Sequence, residues 1–193
     1  ITTTLIHALR GYQSYFSPAN RDWNEPYREV DFNVVAGRTI YSRLIETANA
    51  IDQSTRVPLH WDDILGPGRH GAVFLVAEQP PAEANQRVKQ GTQAIVQLTD
   101  LGLAWKSSDS AATIHVFSHT TGRPVAQAVV RLLTDDNETL AERATDAQGL
   151  ATLPLTTNAV WLLAESGDDL HAARLREHDV ALYNFGLRYD WNR

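Results

Sequence analysis

Gly122-Arg-Pro-Val-Ala-Gln-Ala-Val-Val-Arg-Leu132, followed by Leu140-Ala-Glu-Arg-Ala-Thr-Asp-Ala-Gln-Gly-Leu-Ala-Thr-Leu153, carries the strongest local signals in the chain. Gly122 and Pro124 set a tight turn, because glycine accepts positive φ and proline fixes its own φ. Val125 and Ala128 then begin a strand, and small Ala128 suits close packing between two sheets. Asp146 to Gly149 reads as the turn closing a hairpin, with Gly149 free to take positive φ. Strand, turn and strand at this short spacing is the pattern of an antiparallel β-sandwich.

The same punctuation extends in both directions. Downstream, Ala159 to Glu165 is a strand, Ser166-Gly-Asp-Asp169 a hairpin turn, and Leu170 to Leu175 its partner. Asp135-Asp-Asn137 turns the chain between Ala128–Thr134 and Thr139–Thr145. Upstream, Thr113 to Ser118 alternates, placing Ile114 and Val116 opposite His115 and Phe117. Leu101 to Trp105 alternates as well. Further back, Thr92–Leu98, Val57–Trp61, Arg38–Glu46, Tyr27–Val35 and Ile1–Ala8 read as strands. Ala72–Ala77 is continuously apolar, which predicts a central strand buried on both faces or in a sandwich core. Helical signal is confined to Glu46–Ile51 and to one turn over Trp61–Leu65, with Asp62 and Asp63 early.

Strands recurring roughly every 8 to 12 residues give an all-β fold. About fourteen candidates exceed the seven to nine of one immunoglobulin-like sandwich. The chain therefore divides near residue 100, into sandwiches over 1–99 and 100–193. One large barrel or jelly roll is the alternative. Gln97 to Leu103 has no flexible-linker composition, so strand runs almost directly into strand and a fairly fixed inter-domain angle is expected. Polar Glu78 to Gly91 is a hairpin loop inside the first domain.

Composition removes whole classes of function. The 193 residues carry 17 Lys and Arg against 23 Asp and Glu, a formal charge of −6. That balance opposes a general nucleic-acid binder or a polybasic membrane module. There is no Cys, hence no disulfide, thiolate metal site or cysteine nucleophile. No apolar run approaches the roughly 20 residues that cross a bilayer as a helix. A chain opening at Ile1 without Met reads as a mature product or a piece of something longer.

Preceded by Thr99-Asp-Leu-Gly-Leu103, the Gly-x-Pro-Val … Thr-Asp-x-x-Gly pattern resembles a macroglobulin domain of the bacterial alpha-2-macroglobulin family. Val57 to Ala77, with Gly66-Pro-Gly68 and Phe74, is similar to a second passage of those proteins, and Val180–Arg193 resembles the run-out into a following domain. The resemblance implies scaffold domains of a protease trap at the periplasm or cell surface, lipid-anchored through a segment outside these residues. It implies partners in neighbouring domains and, through the whole protein, a captured protease. It implies no cofactor, no nucleic acid and no direct membrane contact. The family's thioester sits in a Cys-x-Glu-Gln motif, and Glu78-Gln79 without a Cys is no such site. Arg87 and Lys89 could be cut by trypsin-like proteases, as in any hydrophilic loop, and are not read as a bait.

No catalytic or metal-binding residue is assigned, and binding residues stay unassigned. His115 and His119, four apart on a strand, would lie about 13 Å from each other, too far to share an ion. Asp62-Asp63 with His60 reads as acids at a helix start. Asp135-Asp136-Asn137 lacks the spaced ligands of a calcium loop, and Asp168-Asp169 with His171 reads as a turn. Neither a Gly-x-Ser-x-Gly elbow nor a phosphate loop occurs. Of the five Trp, Trp105 and Trp161 read as core. Trp23, Trp61 and Trp191 would serve stacking if the chain were a glycan- or protein-binding module. Accessory domains of a secreted enzyme are a third reading.

Overall fold

The computed structural model describes residues 38–46, 56–78 and 91–176. The chain divides into two units, Ile1–Asp100 and Leu101–Arg193. In the first, the described elements are one helical turn, α1 (Trp61–Leu65), and an antiparallel hairpin of β1 (Gly71–Glu78) and β2 (Gly91–Leu98), in register from Gly71↔Leu98 to Glu78↔Gly91. Asp62 and Asp63 occupy the first turn of α1, as read from sequence, and Gly66 ends it at φ 95°.

Three readings of this unit need correction. Arg38–Glu46 forms no strand and leaves Leu44 exposed. Its apolar positions, Ile40, Leu44 and Ile45, do not keep period two, so no single face could be buried. Val57–His60 is likewise irregular, Pro58 having no N–H for a ladder. The continuously apolar β1 is not buried on both faces: Val73 is its buried member and Val76 is exposed. Among the described residues β1 has a single strand partner, and a hairpin cannot enclose its own strands. The readings at Ile1–Ala8, Tyr27–Val35 and Glu46–Ile51 (beyond residue 46), at the 79–90 loop with Arg87 and Lys89, at Trp23 and Trp191, and at Val180–Arg193 lie outside the described residues.

The second unit is an antiparallel sandwich of seven described strands. One sheet has the order β3-β4-β7, from β3 (Leu101–Ser107), β4 (Ala111–Ser118) and β7 (Leu150–Pro154). The other has the order β6-β5-β8-β9, from β5 (Val129–Leu133), β6 (Thr139–Ala144), β8 (Trp161–Ser166) and β9 (Asp169–Arg174). Alternation chooses the inner faces. Ala112, Ile114 and Val116 of β4, with Ala151 and Leu153 of β7, meet Val130, Leu132, Leu162 and Ala164 across the core. Each fully buried branched side chain contributes about 1.5–3 kcal/mol relative to exposure. Strand β8 is buried on its other face too, through Trp161 and Leu163.

Two expectations here also change. The strand after Pro124 begins at Val129, since Ala126-Gln127 forms a turn with Gln127 at φ 59°. The Asp146–Gly149 turn does not close a hairpin. Strand β6 pairs with β5 and β7 with β4, so the turn carries the chain from one sheet to the other.

Candidate functional site

The two halves of the signature segment meet at one place, where the chain crosses twice between the sheets. The first crossing leads from β4 to β5 through Gly122–Ala128. The second leads from β6 to β7 through Thr145–Gly149. Thr145 laces them together. Its hydroxyl donates to the Val125 carbonyl at 2.7 Å and accepts from the Ala128 N–H at 2.9 Å. Its backbone N–H donates to the Ala128 carbonyl at 2.9 Å, and its carbonyl accepts from the Gln127 N–H at 3.0 Å. Thr145 itself is 1% exposed. Ala128 and Thr145 are buried beneath mostly exposed crossings, and the threonine hydroxyl gives the Ala128 N–H and the half-buried Val125 carbonyl their partner.

Asp146 shapes the turn that follows. Its Oδ1 accepts from the Gln148 and Leu150 N–H groups at 2.8 and 2.9 Å, the side-chain mimicry of a turn that aspartate favours. Gly149 then sits at φ 71°, and its carbonyl accepts from the Val116 N–H at 2.8 Å. A Cβ there would stand 2.4 Å from the Val116 carbonyl oxygen and 2.9 Å from Pro124 Cβ. The glycine of one half of the signature is thus fitted against the proline of the other, and Val125 bonds back to the Val116 carbonyl at 2.9 Å.

A second pair of contacts joins the sheets along the β3–β9 side. The Trp105 indole N–H donates to the Leu175 carbonyl at 3.1 Å. His171 Nδ1 lies 2.6 Å from the Leu101 carbonyl, so this nitrogen carries the donated proton. Each bond spans 70 residues of sequence.

The residues singled out for chemistry are distributed among structural roles. On the outer face of β4, the Phe117 ring stands between His115 and His119, with ring centroids 5.6 and 5.4 Å away. The Phe117 ring covers Gly102 of β3, where a Cβ would come 2.4 Å from a ring carbon. That accounts for the glycine in Leu101-Gly-Leu103. Asp135 accepts from the Trp161 indole N–H at 3.2 Å, and Arg174 lies over the same indole at 5.3 Å from its centroid. Asp169 is buried in β9, away from the exposed Asp168. His60 is the N-cap of α1 and makes no side-chain capping bond. Among the described residues, no group of three or more His, Asp or Glu side chains is placed to hold a metal ion.

One charged cluster was not foreseen. Arg131 of central β5 bonds Glu142 on β6 and Glu165 on β8. Partial burial works against its charge, but the hydrogen bonds and charges of the two glutamates outweigh that and raise its pKa further. Arg131 and Glu142 are direct cross-strand partners, so alternation alone could have pointed to them once the register was known. Nothing in the residues beside Thr145 and Gly102 marks their partners, which are distant in sequence. A glycine inside an alternating strand is itself a sign of close approach by a neighbour.

Comparison with known proteins bears on this geometry directly. Residues 98–192 match the family described as "Bacterial alpha-2-macroglobulin MG3 domain". The second unit belongs to the bacterial alpha-2-macroglobulin family. The match covers all of the second unit's described strands and contains both sheet crossings. It also supplies a domain type, MG3, that the sequence reading did not reach. No curated protein matches the sequence. Among solved structures, native alpha-2-macroglobulin from Escherichia coli spanning domains MG0-NIE-MG1 is similar at 22% identity and a TM-score of 0.50, over 60% of this chain. This chain spans 36% of that one. The likeness shows the fold. An Escherichia coli structure spanning NIE-MG1 is 25% identical, with a TM-score of 0.45, over 54% of this chain and 49% of that one. A reconstruction of the whole native Escherichia coli protein is 19% identical, with a TM-score of 0.46, over 70% of this chain and 8% of that one.

Proposed function

We propose that these residues are scaffold of a bacterial alpha-2-macroglobulin-like protease inhibitor, in two macroglobulin-like domains over 1–99 and 100–193, and carry out no catalysis. The observation that carries the reading is the match over 98–192 to an MG3 domain, with the family's signature spent on joining two sheets. The notable polar side chains of the second unit bond to its own backbone or to each other, as in a shape-holding part. Its partners are then neighbouring domains of a longer chain and, through the complete protein, the protease captured. Its place is the periplasm or cell surface, in keeping with a family of envelope protease traps.

The test is direct. The 193-residue chain, mixed with trypsin, elastase or subtilisin at up to tenfold molar excess, should leave hydrolysis of a large protein substrate unchanged and should not co-elute with the protease on gel filtration. Stoichiometric loss of protease activity would overturn the scaffold reading.

A further inference from the structure

Two bonds of the second unit, each spanning 70 residues, join its first and last described strands, and their direction has a mechanical consequence. His171, near the start of β9, holds Leu101, the first residue of β3. Trp105, four residues along β3, holds Leu175, just past the end of β9. The two strands therefore run side by side in the same direction across the sandwich, with anchors about 13 Å apart along β3. The chain reaches β3 from residue 100 at one end of this seam and leaves β9 toward residue 176 at the other. Tension between those points drags β3 backward and β9 forward, so the strands must slide lengthwise. Both anchors are then loaded together. Tension between residues 100 and 168, at the same end of the seam, would instead open it one anchor at a time.

We propose that the His171–Leu101 and Trp105–Leu175 bonds form a shear clamp, which keeps β3 and β9 from sliding past one another when the chain is pulled between residues 100 and 176. The role rests on the proposed place of the unit between neighbouring domains, where load arrives along the chain. The bonds are suited to it. Each sets a side-chain donor on one sheet against a backbone carbonyl reached from the other, and the Trp105 ring packs against the core beside its bond. Each strand is also secured in its own sheet, β3 by seven register pairs with β4 and β9 by six with β8, so the seam between the sheets yields first.

Single-molecule force measurement on the whole 193-residue chain tests this without involving a protease, so it can fail while the scaffold reading stands, and the reverse. The chain has no Cys, so handles attach wherever two are introduced. Handles at Asp100→Cys and Arg176→Cys load the seam in shear, and handles at Asp100→Cys and Asp168→Cys peel it. At equal load the sheared unit should survive at least tenfold longer. Trp105→Phe keeps the ring and removes the donor, and should shorten the sheared lifetime about fivefold, the effect of one lost hydrogen bond. His171→Ala should act similarly, and His171→Gln, which restores an N–H donor, should recover part of the loss. Equal lifetimes in the two pulling directions would overturn the clamp. So would a sheared lifetime indifferent to both Trp105→Phe and His171→Ala.

Discussion

Gly149→Ala will lower the unfolding free energy of the second unit by about 2–5 kcal/mol, the sum of a left-handed backbone and an overpacked contact. The first contribution comes from φ 71°, where any Cβ crowds its own carbonyl. The second is tertiary, because the new methyl lands 2.4 Å from the Val116 carbonyl oxygen and 2.9 Å from Pro124 Cβ. That oxygen cannot step aside, since it accepts from the Val125 N–H. Gly122 provides the internal comparison. It has almost the same φ, 68°, but nothing lies within 4 Å of a Cβ built there. Gly122→Ala should therefore cost only about 1–2 kcal/mol, from the backbone alone. Urea titration of the whole chain, followed by NMR signals of residues 101–176, measures both. Equal losses at the two glycines would show that the contact with Val116 and Pro124 contributes nothing.

Thr145→Val has an expected cost of about 2–4 kcal/mol, because removing one hydroxyl strands a buried N–H and a half-buried carbonyl. Valine fills the same volume, so no cavity is created. What disappears is the donor to the Val125 carbonyl and the acceptor for the Ala128 N–H. Ala128 is buried, so water cannot replace the partner of its N–H without opening the crossing. Thr145→Ser keeps the hydroxyl and loses one methyl, for about 1 kcal/mol. The ordering Ser above Val in the same urea titration is the informative result. If valine were tolerated as well as serine, the hydroxyl would not be what joins the crossings.

Both effects fall in a segment whose presence was plain in the sequence and whose role was not. Turn residues and alternation located every described strand of the second unit, because each strand has one buried and one wetter face or is short and bounded by turns. Ile114 and Val116 against His115 and Phe117 is the clearest case, and the core follows that alternation. What alternation does not encode is which strand lies beside which. Asp146–Gly149 has the local form of a hairpin turn, with the Asp146 N–H bonded to the Leu150 carbonyl at 2.9 Å. Only the pairing of β6 with β5 and of β7 with β4 reveals it as a crossing between sheets. The same holds for His171. Its sequence neighbours, Asp168 and Asp169, suggested a local cluster, whereas its partner is Leu101, 70 residues away. In the first unit the apolar run of β1 promised a buried strand, but local hydrophobicity cannot say whether neighbours exist to cover it.

The Gly122–Ala128 and Thr145–Gly149 crossings act as one device that fastens the two sheets. Amide hydrogen exchange on the whole chain tests this most directly, at Val116, Val125, Ala128 and Thr145. Their N–H groups all donate within the double crossing, to Gly149, Val116, Thr145 and Ala128 in turn. These four should exchange with the slowest amides of the second unit, through unfolding of the whole sandwich. Exchange of the four ahead of the β4 and β8 core amides, by local opening of the crossing while the sheets stay protected, would contradict it.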